Sequence, residues 1–184
     1  MRYFRQIGEG IPVDSVMNQI YENPELWSEY CERTKDPTSP HYGVPDIWLR
    51  YRAKSELTSP EAYTEQHFAT FYPAWGILTS LHPIVFGLMF RLKATYLGGV
   101  LITKIPPGGE VRPHDDRGSW HAEAMETKVY VALQSNPKCV NTCLDESLSM
   151  KTGEAWTFDN QLTHSVRNDG DEDRVTAIVC MSTK

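Results

Sequence analysis

From Thr95 onward the chain alternates short β-prone runs with turn signals, and this alternation most narrows what it can fold into. Tyr96–Ile105 predicts a strand with a weak point at Gly98-Gly99, and Pro106-Pro107-Gly108-Gly109 predicts the turn after it. Short strands follow over 110–113, 127–133, 139–144, 147–150 and Ala155–Phe158, set apart by turn residues such as Asn136-Pro137 and Lys151-Thr152-Gly153-Glu154. Asn168-Asp169-Gly170-Asp171 then turns the chain into a last, strongly β-branched strand over 174–181. Short strands at roughly 8–12-residue spacing indicate a sandwich or barrel.

The preceding part mixes helix and loop signals. Residues 13–22 pattern as an amphipathic helix with Asp14 and Ser15 as candidate caps, and Pro24 opens a second turn carrying Leu26 and Trp27. Residues 35–45 hold Pro37, Pro40 and Pro45 and predict loop. A short strand is expected over 47–51, and helices over 60–68 and 80–90, with Pro83 in the first turn of the latter. At 184 residues and 40% hydrophobic content the chain is sized for one domain. The reading is therefore a single domain over 1–184, mainly β with flanking helices. Residues 1–92 form a helix- and loop-rich covering part, and residues 93–184 form the β-sandwich core.

The net charge is −6 and no Lys/Arg-rich run occurs, so nothing points to a nucleic-acid-binding surface. The apolar stretch Ile84 to Leu92 is broken by Gly87 and Arg91, far short of the ~20 residues a membrane span needs. The first residues, Met1-Arg2-Tyr3-Phe4-Arg5-Gln6, lack the apolar core of a signal peptide, so the expected location is cytoplasmic. Cys31, Cys139, Cys143 and Cys180 form no Cys-x-x-Cys pair, and reduced thiols are expected. A zinc site at Cys139 and Cys143 is an alternative, on loose spacing. Oligomeric state stays open.

The chemistry-bearing group is His114-Asp115-Asp116, which follows the Pro-Pro-Gly-Gly turn and a short strand. In an extended chain residues i and i+2 share a face, so His114 and Asp116 point together while Asp115 points away. An imidazole and a carboxylate side by side occupy adjacent positions on a metal. A distant histidine completes a 2-His-1-carboxylate face, whose open positions accept a bidentate keto acid and dioxygen. His164, at the start of a strand after Phe158-Asp159-Asn160, is the distal candidate. Ten residues on, Arg174 shares a strand face with Thr176 and Ile178. A cation inside a sandwich is costly unless paired. No fixed carboxylate partner is evident in that strand, and the far carboxylate of 2-oxoglutarate would suit it. An ordinary surface arginine answering Asp171-Glu172-Asp173 is the plainer reading of the same residue.

Together these blocks resemble the aspartyl/asparaginyl β-hydroxylase family. Ile105-Pro106-Pro107-Gly108-Gly109-Glu110-Val111-Arg112-Pro113-His114 is similar to the approach to that family's active site. Gly153-Glu154-Ala155-Trp156-Thr157-Phe158-Asp159-Asn160, followed by His164-Ser165-Val166-Arg167-Asn168, is similar to its distal block, and Arg174-Val175-Thr176-Ala177-Ile178-Val179 to its closing strand. The resemblance covers about 96–181, with a weaker echo at Ser39-Pro40-His41 and Ile47-Trp48-Leu49-Arg50.

It implies a double-stranded β-helix (a cupin-like jelly roll) that binds iron(II) and the cosubstrate 2-oxoglutarate and uses O2. His114 and His164 fall on the iron ligands, and Arg174 on the arginine that holds the 2-oxoglutarate tail, with Thr103 assisting it. Where the family's peptide hydroxylases carry an arginine and a histidine, this chain has Lys128 and Tyr130, which become further keto-acid contacts. The animal peptide hydroxylases have glycine two residues after the first histidine. This chain has Asp116, as do the free-amino-acid hydroxylases that resemble the family.

The expected activity is hydroxylation of a C–H bond on a small-molecule or peptidyl substrate, an amino acid or an Asp, Asn or Pro-like residue, with release of succinate and CO2. His41, Arg50, Arg117, Trp120 and His121 are candidate substrate contacts, Arg117 and His121 on a basic lid. Trp156 and Phe158 are candidates for the pocket wall or for ordinary core. Two other readings remain: a non-catalytic metal-binding cupin-like sensor or binding domain, and a cupin enzyme that needs no keto acid.

Overall fold

The computed structural model describes residues 1–29, 32–59 and 61–184, apart from the side chains of Ser28 and Glu32. Its strands pair into two antiparallel sheets. The larger contains β1 (Phe4–Gly8), β2 (Asp46–Arg52), β3 (Ala69–Phe71), β4 (Tyr96–Ile105), β6 (Thr127–Gln134), β9 (Ala155–Phe158) and β11 (Arg174–Ser182), in the order β1-β9-β6-β11-β4-β2-β3. The smaller contains β5 (Glu110–His114), β7 (Cys139–Cys143), β8 (Glu146–Leu148) and β10 (His164–Asn168), in the order β5-β10-β7-β8. The chain shuttles between the sheets, so residues distant in sequence face one another across the interior.

Period-two alternation on β11 shows how the sheet is used. Val175, Ala177, Val179 and Met181 join one core, built with Val129, Val131, Val100 and Ile102 and covered by helices. Ile178 points the other way, where it packs with Tyr130, Trp156 and Phe158 and with Cys143 and Leu148 of the smaller sheet. Ile105, Val111, Cys139 and Val166 close another part of the space between sheets. Arg174, Thr176 and Cys180 share the Ile178 face, so polar groups line an interior that is otherwise apolar.

The covering helices are α1 (Asp14–Glu22), α2 (Glu32–Lys35), α3 (Pro73–Ile77) and α4 (His82–Leu92). In α1, Val16, Met17 and Ile20 are buried; the helix starts from Val13 without a side-chain cap, so neither Asp14 nor Ser15 acts as one. Pro83 sits in the first turn of α4, which stops at Lys93 in a left-handed conformation, φ 55°. α5 (Trp120–Ala124) lies between β5 and β6. Among the described residues no helix is long and apolar enough to cross a membrane.

Two further differences from expectation fall in the first part. Phe4–Gly8 forms a strand on β9, so residues 1–92 contribute three strands to the larger sheet as well as its cover. Its pattern hides this: Phe4 fills the core between sheets while Ile7 fills the helix-side core, and a register shift lies between Gln6 and Gly8. Side chains three apart lie on opposite faces, so no one-sided alternation appears. Of the helix expected over 60–68, Pro60 lies outside the described residues, and only Glu61–Tyr63 forms a 3-10 turn.

The weak point at Gly98-Gly99 has a packing cause. A Cβ at Gly98 would lie 2.5 Å from Met125 Cγ, and one at Gly99 would lie 2.9 Å from His121 Nε2. The missing side chains let α5 and the residue after it rest directly on β4.

Candidate metal centre and its pocket

β5 ends at His114 and β10 begins at His164, and the two residues are direct partners in the antiparallel register. Their ring centroids lie 4.3 Å apart. Each ring is fixed through Nδ1, which donates to a backbone carbonyl two residues earlier: Arg112 at 2.8 Å for His114, Leu162 at 2.9 Å for His164. A carbonyl can only accept, so Nδ1 carries the proton and Nε2 keeps its lone pair. Both Nε2 atoms are buried and have no hydrogen-bond partner among the described residues.

Asp116 completes the group. Ligand atoms of His114, Asp116 and His164 all lie within 4.8 Å of one another, and Asp116 Oδ1 is 3.7 Å from His114 Nε2. Strand alternation is not what aims this carboxylate, because β5 has already ended. Long-range contacts do so. The Asp116 backbone N–H donates to the Asn160 carbonyl at 3.0 Å, the Asn160 side-chain amide donates to Oδ2 at 2.8 Å, and Lys128 Nζ donates to Oδ2 at 2.7 Å. Oδ2 is thus occupied and Oδ1 is turned toward the two imidazoles.

The electrostatics favour the ligand forms. Burial alone would raise the Asp116 carboxyl, but the Lys128 charge and the hydrogen bonds from Lys128 and Asn160 hold it well below the usual carboxylate range. Burial, then the Lys128 charge, pushes His164 down to about 4. Burial also lowers His114. Near neutral pH the site therefore presents two neutral imidazoles and one carboxylate. Burial opposes the Lys128 charge, but Tyr130 and Asp116 keep the ammonium protonated.

Arg174 lies at the start of β11, 2% exposed. Its Nη2 donates to Asn141 Oδ1 at 3.1 Å, and its guanidinium sits 5.5 Å from the Tyr130 ring centroid. Among the described residues no carboxylate pairs with it. Thr103 faces Thr176 across the β4–β11 register; both are buried, and the Thr176 hydroxyl has no hydrogen-bond partner among the described residues. This end of the interior holds a buried cation and an unsatisfied hydroxyl, both costly without a ligand. Tyr130 lies between Arg174 and Phe158, its ring centroid 5.0 Å from that of Phe158. Lys128, expected at the keto acid, reaches Asp116.

A cavity of about 150 Å³ opens beside Asp116 and Lys128, lined also by Arg33, His41, Trp48 and Tyr51. His41 meets His114 edge-on at 5.0 Å. The other expected substrate contacts are placed differently. Arg117 is an exposed residue in an ion pair with Asp115 at 2.8 Å. His121 lines the cavity but is buried, accepts the Gly99 N–H at 3.2 Å, and is pushed down to about 3 by burial and by His67. Arg117 and His121 therefore do not face the cavity together as two basic groups. Arg50 packs on Phe71 and Tyr96, and Trp120 on His67. Phe158 packs 5.0 Å from the His164 ring, while Trp156 lies in the core between sheets and donates to Glu154 at 2.9 Å. Cys139 and Cys143 are free thiols in separate apolar clusters, and Cys31 lies outside the described residues.

Sequence reasoning missed Asn160, Asn141, Thr176 and Arg33. Thr176 carried a signal, since it shares the Arg174 face, and Asn160 stood in the distal block without a role assigned to it. The others act across turns and sheets, where spacing is silent.

The family model for aspartyl/asparaginyl β-hydroxylase matches residues 74–183, more than half of the chain. Solved structures share the fold. An oxidoreductase of the 2OG-Fe(II) oxygenase family from Burkholderia pseudomallei is 14% identical, with 77% of this chain and 68% of that one covered and a TM-score of 0.53. The viral collagen prolyl hydroxylase of Paramecium Bursaria Chlorella virus-1 is 9% identical, covering 97% and 95%, at 0.54. A Pseudomonas putida prolyl-4-hydroxylase is 15% identical, covering 98% and 92%, also at 0.54. No curated protein matches the chain in sequence. With its two facing antiparallel sheets in a jelly roll and the family match over both imidazoles, the chain belongs to the aspartyl/asparaginyl β-hydroxylase family and is an oxidoreductase.

Proposed function

We propose that the chain binds one iron(II) ion through His114 Nε2, Asp116 Oδ1 and His164 Nε2. With 2-oxoglutarate and O2 it hydroxylates a C–H bond of an amino acid or peptidyl residue, releasing succinate and CO2. The observation that carries this is the pair of buried, unpartnered Nε2 atoms facing one carboxylate oxygen. Two imidazoles and one carboxylate are the donor set of open-faced non-haem iron(II) oxygenases. When bound, iron and the keto acid supply the oxidising chemistry; the protein supplies ligation, orientation and a dry pocket.

The chain's own groups divide the work. The Arg112 and Leu162 carbonyls fix the tautomer and ring angle of the two histidines. Lys128 and Asn160 hold Asp116 Oδ2, leaving Oδ1 for the metal. Arg174 pairs with the distal carboxylate of 2-oxoglutarate, assisted by Thr103, Tyr130 and the Thr176 hydroxyl. Phe158 keeps water from the His164 side. Buried free thiols at Cys139 and Cys143 suit a reducing, cytoplasmic setting.

Succinate formation tests the reading. It should require iron(II) and 2-oxoglutarate and disappear in His114→Ala. Succinate released at the wild-type rate by His114→Ala would remove the metal assignment.

A further inference from the structure

The interior of the larger sheet has two polar ends. Arg174 and Cys180 share one face of β11, six residues and ~20 Å apart at about 3.3 Å per residue. Arg174, Thr103 and Tyr130 occupy the first end and do not line the cavity. The cavity is lined instead by Ile178, Cys180, Leu101 and Lys128, beside Asp116. It therefore lies on the opposite side of the ligand group from the keto-acid residues, where a substrate must approach.

One cation in this cavity is only half used. Arg33, on α2, lines it, and its Nε donates to Asp46 Oδ2 at 2.6 Å. Asp46 is 1% exposed and belongs to β2, so the guanidinium is held against the sheet. Arg33 Nη2 is buried and has no hydrogen-bond partner among the described residues. A purely structural partner of Asp46 would not need to bury a second N–H group unpaired, because that costs free energy. The charge is also close to the centre: it acts on His41, His114 and Tyr51. Lys128, the other cation lining the cavity, is already on Asp116.

His41, Ser119, His121 and Asn160 add polar atoms to the lining, and most of the remaining wall is apolar. Trp48 and Tyr51 meet edge to face at 5.1 Å, and the Tyr51 hydroxyl donates to the Tyr63 carbonyl at 3.1 Å. Leu101, Met125 and Ile178 complete the wall. A cavity of about 150 Å³ is the size of one that accepts benzene, so it suits a body on the order of six to ten non-hydrogen atoms.

Resting on the function proposed above, we infer that the substrate is a small free carboxylic acid of amino-acid size with an apolar body, and that Arg33 Nη2 anchors its carboxylate while the Trp48–Tyr51 wall takes the body. Arg33 is then the residue that selects free acids over peptides. Its pairing with Asp46 keeps the guanidinium from swinging to the metal side.

The test uses the whole protein with iron(II) and 2-oxoglutarate, without oxygen for binding and with oxygen for turnover. The probes are L-proline, L-leucine and L-norvaline, each beside its own carboxamide, and an N-acetylated, C-amidated tripeptide with aspartate at its centre. Binding is read from tryptophan fluorescence and from the visible iron–keto-acid band, and turnover from succinate. At least one acid should bind tenfold or more tighter than its amide and stimulate succinate formation. Arg33→Lys should raise the half-saturating concentration of that acid at least tenfold and leave that of 2-oxoglutarate unchanged; the lysine keeps a cation for Asp46 while removing the fork. Acids and amides that bind alike, no binding by any acid, or preference for the peptide would overturn the inference. So would an Arg33→Lys effect on 2-oxoglutarate instead of on the acid. A wild-type protein that shows the iron–keto-acid band but no acid selectivity rejects this inference alone, whereas absence of the band rejects the underlying function and this inference with it.

Discussion

Lys128 Nζ lies 2.7 Å from Oδ2 of Asp116, and both side chains are largely buried. The ammonium therefore orients a carboxylate that the strand before it does not orient. It also leaves Oδ1 as the free oxygen of the pair.

Removing that ammonium should be felt at the metal. Lys128→Met is expected to weaken iron(II) binding by roughly 10–100-fold, the usual cost of losing a group that positions a ligand. With iron saturating, the 2-oxoglutarate requirement should change little. Metal titration followed by turnover assays separates the two. A raised 2-oxoglutarate requirement with unchanged iron affinity would return Lys128 to the keto-acid contact expected from the sequence.

Arg174→Ala should do the reverse. A charge-assisted bidentate contact is worth roughly 1.5–3 kcal/mol, which is about 10–150-fold in the half-saturating 2-oxoglutarate concentration. Iron affinity should hold. An unchanged 2-oxoglutarate requirement would contradict the assignment of the buried guanidinium.

The strands from Tyr96 to the C-terminal run were legible because β-prone runs recur between turn residues such as Pro106-Pro107-Gly108-Gly109 and Asn168-Asp169-Gly170-Asp171. His114, Asp116, His164 and Arg174 were legible as residue types at suggestive spacing. What spacing could not carry was the means of holding them. Asn160 and Lys128 reach Asp116 from another turn and another sheet, and Arg33 is joined to the pocket by Asp46 on β2. β1 was hidden for a different reason: its only buried side chains, Phe4 and Ile7, lie three apart with exposed Arg5 and Gln6 between them, and feed two separate cores, so the run is neither alternating nor continuously apolar.

His121 supplies a pH test. Its folded-state value is about 3, against an ordinary 6.5, because burial and His67 disfavour the charged ring. Between those values the unfolded chain binds a proton that the folded chain does not. Stability from this group is therefore full above pH 6.5 and falls as pH drops toward 3. The loss is on the order of a few kcal/mol at most, at about 1.4 kcal/mol per pH unit. Thermal unfolding of the metal-free protein across this range should show a shallower decline in His121→Gln than in the wild type. Identical slopes would mean that His121 takes up its proton in the folded state.

Gly99→Ala tests the seating of α5 on β4. The new methyl would lie 2.9 Å from His121 Nε2 and would displace the imidazole that accepts the Gly99 N–H. Overpacking of this kind costs about 1–3 kcal/mol, measurable by denaturant unfolding. A variant as stable as the wild type would show that α5 is free to shift.

The central claim is that two imidazoles and one carboxylate hold an iron that chelates 2-oxoglutarate, and one spectrum tests it most directly. Iron(II) and 2-oxoglutarate are added without oxygen to the wild type and to His164→Ala, and the weak visible charge-transfer band of a chelated keto acid is sought in each. The band should form in the wild type with one iron per chain and be absent in His164→Ala. A wild type that binds iron without the band, or a His164→Ala variant that retains it, would contradict the account.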